Sequence, residues 1–198
     1  MTLLDEAGHA IGTARKSDVH HQATPLHLAF SCYVFDADGA LLLTQRALHK
    51  PTWPGAWTNS FCGHPAPGED LVEAVRRRAV QELGVRLDEV QLVLPAFRYE
   101  AVMPDGVREN EMCPVFTAVT RGEVAPAPDE VAAAAWVEWQ SFRDDVAAGT
   151  REVSPWCRQQ VMDLSRQETG DGRFRTASRE QLPPAARGQA VSQRPPPR

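Results

Sequence analysis

The sequence predicts one α+β (or α/β) layered domain, a mixed β-sheet packed with helices, over residues 1–166, followed by a flexible tail at 167–198. Three observations lead there. The chain has 198 residues, 42% hydrophobic and 24% charged, enough for a single core without disulfide staples. Short runs of β-formers, punctuated by turn residues, stand before and after one amphipathic helix. Beyond residue 166 the composition shifts to Gly, Pro, Arg, Gln and Ser, with too few apolar residues to offset the entropy of ordering.

Residues 1–23 are mixed and polar, with a turn at Glu6-Ala7-Gly8. Residues 26–35 (LHLAFSCYVF) are rich in β-formers and predict a strand. Asp36-Ala37-Asp38-Gly39 is a turn signal, and residues 40–46 complete a hairpin. Pro51, Pro54 and Gly55 make a loop carrying Trp53 and Trp57, and residues 58–64 form a short strand that Pro65 ends. The helix spans 70–83. Glu69 and Asp70 suit its positive end, Leu71, Val72, Val75, Ala79 and Leu83 form the apolar stripe, and Gly84 stops it. Strands at 92–102 and 112–120 flank a turn at Pro104-Asp105-Gly106. A proline-bearing loop at 125–129 leads to 130–139, and a last helix spans 155–166.

The net charge of −5 and pI of 5.7 argue against a nucleic-acid binder. No apolar run approaches the roughly 20 residues of a membrane span. The N-terminus has no sustained apolar stretch of the signal-peptide kind. Cys32, Cys62, Cys113 and Cys157 form no C-x-x-C pair, which reads as buried thiols in a reducing cytoplasm.

Two constellations carry chemistry. His20, His27 and His64 lie in the first third, and Glu109 and Glu111 follow. Residues two apart in an extended segment share a face, so Glu109 and Glu111 can aim at one point, as can Cys62 and His64. Three imidazoles and two carboxylates suit a borderline divalent ion such as Zn, Mn or Fe(II). Spacing leaves a second reading open, with both carboxylates on a solvated hairpin and the histidines scattered. His9, His21 and His49 have no such company and read as surface residues.

The other constellation is a frame in which Glu69 follows Gly63 by six residues, Arg77 follows Glu69 by eight, and Glu82-Leu83-Gly84-Val85 closes it. The segment resembles a Nudix box, a loop, helix and turn whose glutamates bind Mg²⁺ on a diphosphate. Arg78 and Gln81 stand where the signature has glutamates, leaving Glu82 alone. A hydrolase uses that acidic cluster to hold metals and activate water. Arginines in its place point to phosphate binding rather than cleavage.

Further residues make the resemblance specific. They are Leu26-His27-Leu28-Ala29-Phe30-Ser31, Trp53 to Cys62-Gly63-His64-Pro65 with its Thr58-Asn59-Ser60 core, Phe97-Arg98-Tyr99, Glu109-Asn110-Glu111-Met112-Cys113-Pro114 and Ser154-Pro155-Trp156. With them the chain resembles the type I isopentenyl-diphosphate Δ-isomerases over about residues 1–165, in a Nudix-like fold. The family moves a double bond, turning isopentenyl into dimethylallyl diphosphate by adding a proton at C4 and removing one at C2. An alkene is a very weak base and the cationic intermediate must be kept from water. Such chemistry needs two proton-transfer groups, a clamped diphosphate and an aromatic lining.

The resemblance implies a role for each matching residue. Cys62 and Glu111 would be catalytic, with Tyr99 hydrogen-bonding the glutamate. His20, His27, His64, Glu109 and Glu111 would hold one divalent metal (Mn, Zn or Mg). Glu82 would hold a Mg²⁺ that comes with the diphosphate. Lys16, Arg46, Lys50 and Arg78 would bind the diphosphate by charge-assisted bonds. Trp156 would face the developing cation, worth about 2 kcal/mol when desolvated. The other tryptophans, Cys32, Cys113 and Cys157 read as packing. Two other functions compete: a Nudix diphosphohydrolase and a non-enzymatic ligand-binding module. The expected partner is a small prenyl diphosphate, with no nucleic acid or membrane, in a monomer or weak homo-oligomer.

Overall fold

The long strands expected from composition break into pieces that belong to two different sheets, one at Ala29 and two at prolines. A computed structural model describes residues 1–170 and 173–187. In chain order the elements are β1 (Thr2–Leu4), β2 (Ala10–Thr13), α1 (Lys16–Val19), β3 (His27–Leu28), β4 (Phe30–Phe35), β5 (Ala40–Arg46), β6 (Trp57–Thr58) and β7 (Phe61–Gly63). Next come α2 (Leu71–Leu83), β8 (Asp88–Leu94), β9 (Arg98–Val102), β10 (Arg108–Met112), β11 (Val115–Val119), β12 (Val131–Glu138), α3 (Trp139–Ala148) and α4 (Pro155–Gln167).

One sheet has the order β2-β1-β3-β10-β9, and the other β12-β5-β4-β11-β8, with β6 on β5 and β7 on β4. Both are mixed, because β3 and β10 pair in parallel, as do β4 and β11. The segment expected as one strand at 26–35 is therefore β3 plus β4. The segment at 112–120 holds the end of β10 and all of β11, and 92–102 holds the end of β8 and all of β9. Pro114 has no N–H to continue the ladder, so β10 ends there. Pairing resumes beyond it, with Ser31 N donating to Pro114 O at 3.1 Å. Pro95 separates β8 from β9 in the same way.

Period-two alternation on β4 builds two cores. Phe30, Cys32 and Val34 pack with Ala74, Val75, Ala79 and Leu83 of α2. Tyr33 faces the other way, toward Trp139 and Phe142 of α3 and Trp156, Val161 and Leu164 of α4. Fully burying one such leucine contributes about 1.5–3 kcal/mol. Helix α2 is capped as its sequence requires. Asp70 accepts from Val72 N at 2.9 Å and Glu73 N at 3.3 Å, and Gly84 ends it at φ 68°.

The expected domain end at residue 166 needs correction. Residues 173–187 lie against the domain. Ala177 N donates to Leu92 O at 2.7 Å, Ala185 N to Gly8 O at 2.9 Å, and Arg179 pairs with Asp70. Leu182 and Ala186 are buried in the cluster that holds Leu4 and Leu71. Two well-placed apolar side chains and a few backbone bonds anchor a segment whose average composition is polar. The rest of the expected flexible tail, 188–198, lies outside the described residues. Among the described residues no helix is long and apolar enough to cross a membrane.

Candidate active site

Strand register brings the first constellation together. Glu111 is the parallel partner of His27 across β10 and β3, and the antiparallel partner of Tyr99 across β10 and β9. Glu109 and Glu111 share the buried face of β10, at 6% and 4% exposure, so the solvated-hairpin alternative fails. Cys62 lies on β7 opposite Ser31 of β4, and His64 follows directly. His20 ends α1.

Ligand atoms of His20, His27, His64 and Glu111 all lie within 4.8 Å of one another. Glu111 Oε1 is 3.0 Å from His64 Nε2 and 3.4 Å from His27 Nε2. His27 Nδ1 faces Pro25 O at 3.0 Å, and a carbonyl only accepts, so Nδ1 carries the proton. Its Nε2 is then a bare lone pair, buried without a hydrogen-bond donor. A tautomer fixed by a backbone carbonyl, with the free nitrogen turned to a carboxylate and two imidazoles, suits a divalent ion. Burial pushes His20 down to about 4 and lowers His64, which keeps both rings neutral at pH 7.

Glu109 stands beside this set rather than within it. Tyr99 Oη lies 2.7 Å from Glu109 Oε2 and 3.0 Å from Glu111 Oε2. Its single proton can serve only one carboxylate at a time. Burial and the neighbouring Glu111 charge push Glu109 up. Burial also opposes charge on Glu111, but the His27 and His64 imidazoles beside it outweigh that and hold the carboxyl well below the usual range. The pair is thus split electrostatically into a readily protonated member and an ionised one.

A cavity of about 250 Å³ opens beside these groups. Cys62, Tyr99 and Trp156 form one part of its wall. Burial pushes the Cys62 thiol up to about 12, so it is protonated. The Trp156 ring stands 5.6 Å from Tyr99 and meets Trp53 edge-on at 5.9 Å. The remaining wall is cationic, with Lys16, Arg46, Lys50, Arg77 and Arg78 on a protein of net charge −5. That concentration makes the cavity a receptor for an anion.

The basic residues are held in different ways. Arg46 donates Nε to Thr52 O and Trp53 O at 3.2 and 3.1 Å, strapping the loop, with its guanidinium 5.7 Å from the Trp156 ring. Arg78 Nε donates to Glu82 Oε1 at 2.9 Å and its Nη2 to Glu130 Oε1 at 3.2 Å. Lys50 pairs with the same Glu130. Glu82 therefore stands behind Arg78, buried and off the cavity wall. Gly63 lets α2 come this close, because a Cβ there would sit 2.8 Å from Phe30 Cζ and 2.9 Å from Arg78 Cγ. Glu69 takes Arg77 in a fork, at 2.7 and 2.8 Å, tying the loop to α2.

Sequence reasoning missed Thr52, Arg77 and Glu130 as parts of this site. Arg77 was visible only as a frame position, and Glu130 has no motif around it. Thr52 lies on the cavity wall, in a loop read for its prolines, glycine and tryptophans, and its side chain favours the charged form of Glu109.

The chain matches the NUDIX domain family over residues 25–157. It is 54% identical over 186 residues to "Isopentenyl-diphosphate Delta-isomerase" of Saccharopolyspora erythraea, covering 94% of this chain and 96% of that one. It is 56% identical over 161 residues to the protein of the same name from Mycolicibacterium vanbaalenii, covering 81% and 88%. Among solved structures, one from Deinococcus radiodurans superposes with a TM-score of 0.63 at 19% identity, covering 82% of this chain and 96% of that one. A MutT protein from Methanosarcina mazei Go1 superposes with a TM-score of 0.56 at 19% identity, covering 72% and 94%. These two share the fold.

Proposed function

Because the chain belongs to the NUDIX domain family, and within it to the isopentenyl-diphosphate Delta-isomerases, we propose that it interconverts isopentenyl and dimethylallyl diphosphate. One observation carries this reading. A single cavity joins a protonated thiol, an ionised carboxylate and an aromatic wall to five cationic side chains.

The reaction adds a proton at C4 of the substrate and removes one from C2, leaving the diphosphate untouched. Cys62 and Glu111 are the two proton-transfer groups, and Tyr99 exchanges a proton with Glu111 or Glu109 across its short hydrogen bonds. Lys16, Lys50, Arg46 and Arg78 grip the diphosphate and orient the C5 chain toward Cys62. Trp156 turns its ring to the positive charge that builds at C3 and, with Tyr99, keeps water away. His20, His27, His64 and Glu111 would hold one divalent ion (Mn, Zn or Mg), with Glu109 beside them, and Glu82, once the diphosphate draws Arg78 from it, would hold the Mg²⁺ that comes with the diphosphate. Such ions, when bound, supply positive charge that sets the acidity of Glu111 and neutralises the diphosphate.

Hydrolysis of the diphosphate fits less well. On α2, Arg78 and Gln81 replace the carboxylates that would gather metals, and Arg78 occupies the one that remains. Four free cysteines support a reducing, cytoplasmic location. The sole partner in this reading is the prenyl diphosphate, in a monomer or weak homo-oligomer.

The test is conversion of isopentenyl diphosphate, with Mg²⁺, into the acid-labile allylic product. Wild type should convert it. Cys62→Ala and Glu111→Gln should each lose several orders of magnitude in turnover while keeping the fold. Wild-type turnover by either variant would refute the assignment.

A further inference from the structure

We propose that Asn59 is a positioning residue that fixes Cys62 and Trp156 relative to each other through one oxygen atom, an inference that rests on the isomerase reading above. Asn59 lies between β6 and β7 and is fully buried. Its Nδ2 donates to Cys32 O at 3.1 Å and Phe61 O at 2.8 Å. Both partners are pure acceptors, so the amide cannot flip and Oδ1 must point the other way. There it meets Trp156 Nε1 at 3.1 Å, Thr58 Oγ1 at 2.8 Å and Cys62 Sγ at 3.4 Å.

Three donors face two lone pairs, and their alternatives decide the sharing. The indole N–H is buried and has no freedom to turn away. The Thr58 hydroxyl has a second acceptor, Ser154 Oγ at 2.8 Å. The second lone pair is thus available to the Cys62 thiol.

A matching constraint comes from the opposite side. Gln160 Oε1 accepts from Tyr33 Oη at 3.1 Å, and Gln160 Nε2 donates to Ser31 Oγ at 2.9 Å. Ser31, having accepted that bond, turns its own hydrogen toward Cys62 Sγ at 3.2 Å or Cys113 Sγ at 3.3 Å. With that hydrogen on Cys62, the sulphur has a donor on one side and an acceptor on the other. Asn59 Oδ1 is shared by that sulphur and by the ring at the start of α4. The group that moves a proton and the ring that faces the cation are set against the same carbon skeleton by a single buried amide. Asn59 sits inside the Thr58-Asn59-Ser60-Phe61-Cys62-Gly63-His64-Pro65 run, whose other chemistry is accounted for by Cys62 and His64.

Cutting the link should damage turnover more than substrate capture, because the diphosphate is gripped elsewhere. Asn59→Ala and Trp156→Phe, alone and combined, test this in the full-length, Mg²⁺-loaded chain. Trp156→Phe keeps a ring and removes the N–H. Each single variant should lose kcat by about 10–100-fold with KM within about two-fold. The double variant should be no worse than the poorer single one, and additive losses would overturn the proposal. A readout independent of activity is the ¹⁵N-labelled indole spectrum. The Trp156 signal, identified by its loss in Trp156→Phe, should shift in Asn59→Ala, and an unmoved signal would overturn the link. Should Asn59→Ala not fold, Trp156→Phe should still change the rate of Cys62 alkylation by iodoacetamide several-fold, and an unchanged rate counts against the link. If wild type fails to isomerise, the functional reading falls, while the indole shift still reports on Asn59.

Discussion

Glu111 and His27 are register partners on the parallel strands β10 and β3, and Glu111 Oε1 lies 3.4 Å from His27 Nε2. Backbone pairing sets this adjacency, so the ligand set is held by the sheet rather than by mobile loops. Loss of His27 should weaken divalent-metal affinity by more than about ten-fold. Elemental analysis after gel filtration and a Mn²⁺ or Zn²⁺ titration check this on wild type and His27→Ala. Equal metal content in both would contradict it.

Tyr99 is the shared donor of two buried carboxylates. Tyr99→Phe keeps the ring against Trp156 and removes only the hydroxyl. Turnover should fall about 100-fold. Steady-state kinetics decide, and a loss under two-fold would remove Tyr99 from the proton path.

Glu69 is held below its usual carboxylate value by the Arg77 guanidinium. A depressed folded value means the unfolded chain binds protons first as the pH falls. The pair's contribution is then complete above pH 4.5, the ordinary value, and is lost as the pH falls through the lowered one. Urea unfolding of wild type and Glu69→Gln should differ at pH 7 and converge in acid. A constant difference across that range would contradict the sign.

Leu182 lies 111 residues beyond Leu71 of α2 in sequence yet is buried in the same core cluster. Leu182→Ala should cost about 2–3 kcal/mol of stability and leave kcat unchanged, since the residue is remote from the cavity. Denaturant midpoints measure the first and kinetics the second. A stability change under about 0.5 kcal/mol would mean the segment is only loosely applied.

Much of this was legible in the sequence, for identifiable reasons. Helix α2 announced itself through Asp70, its apolar stripe and Gly84, and all three do in space what their residue types imply. The His/Glu pattern was readable as chemistry, but its convergence was not. His27 and Glu111 are 84 residues apart and meet through a parallel register that no local pattern encodes. Strand splitting was harder to see than it should have been, since Pro114 marks one break and Pro95 another. Helix α3 went unread because Glu138 is an uncommon cap, although it accepts from Gln140 N and Ser141 N at 2.8 and 2.6 Å. The spacing of Trp139, Phe142 and Val146 was the available signal. In the C-terminal segment, average polarity concealed Leu182 and Ala186, two anchors that composition cannot weigh.

The most direct test of the central claim is a proton and phosphorus NMR time course of the purified protein with isopentenyl diphosphate and Mg²⁺ in D₂O. Dimethylallyl methyl signals carrying deuterium should grow, with the diphosphate resonances intact. Release of phosphate or pyrophosphate without isomerisation would contradict it and move the chain to the hydrolases.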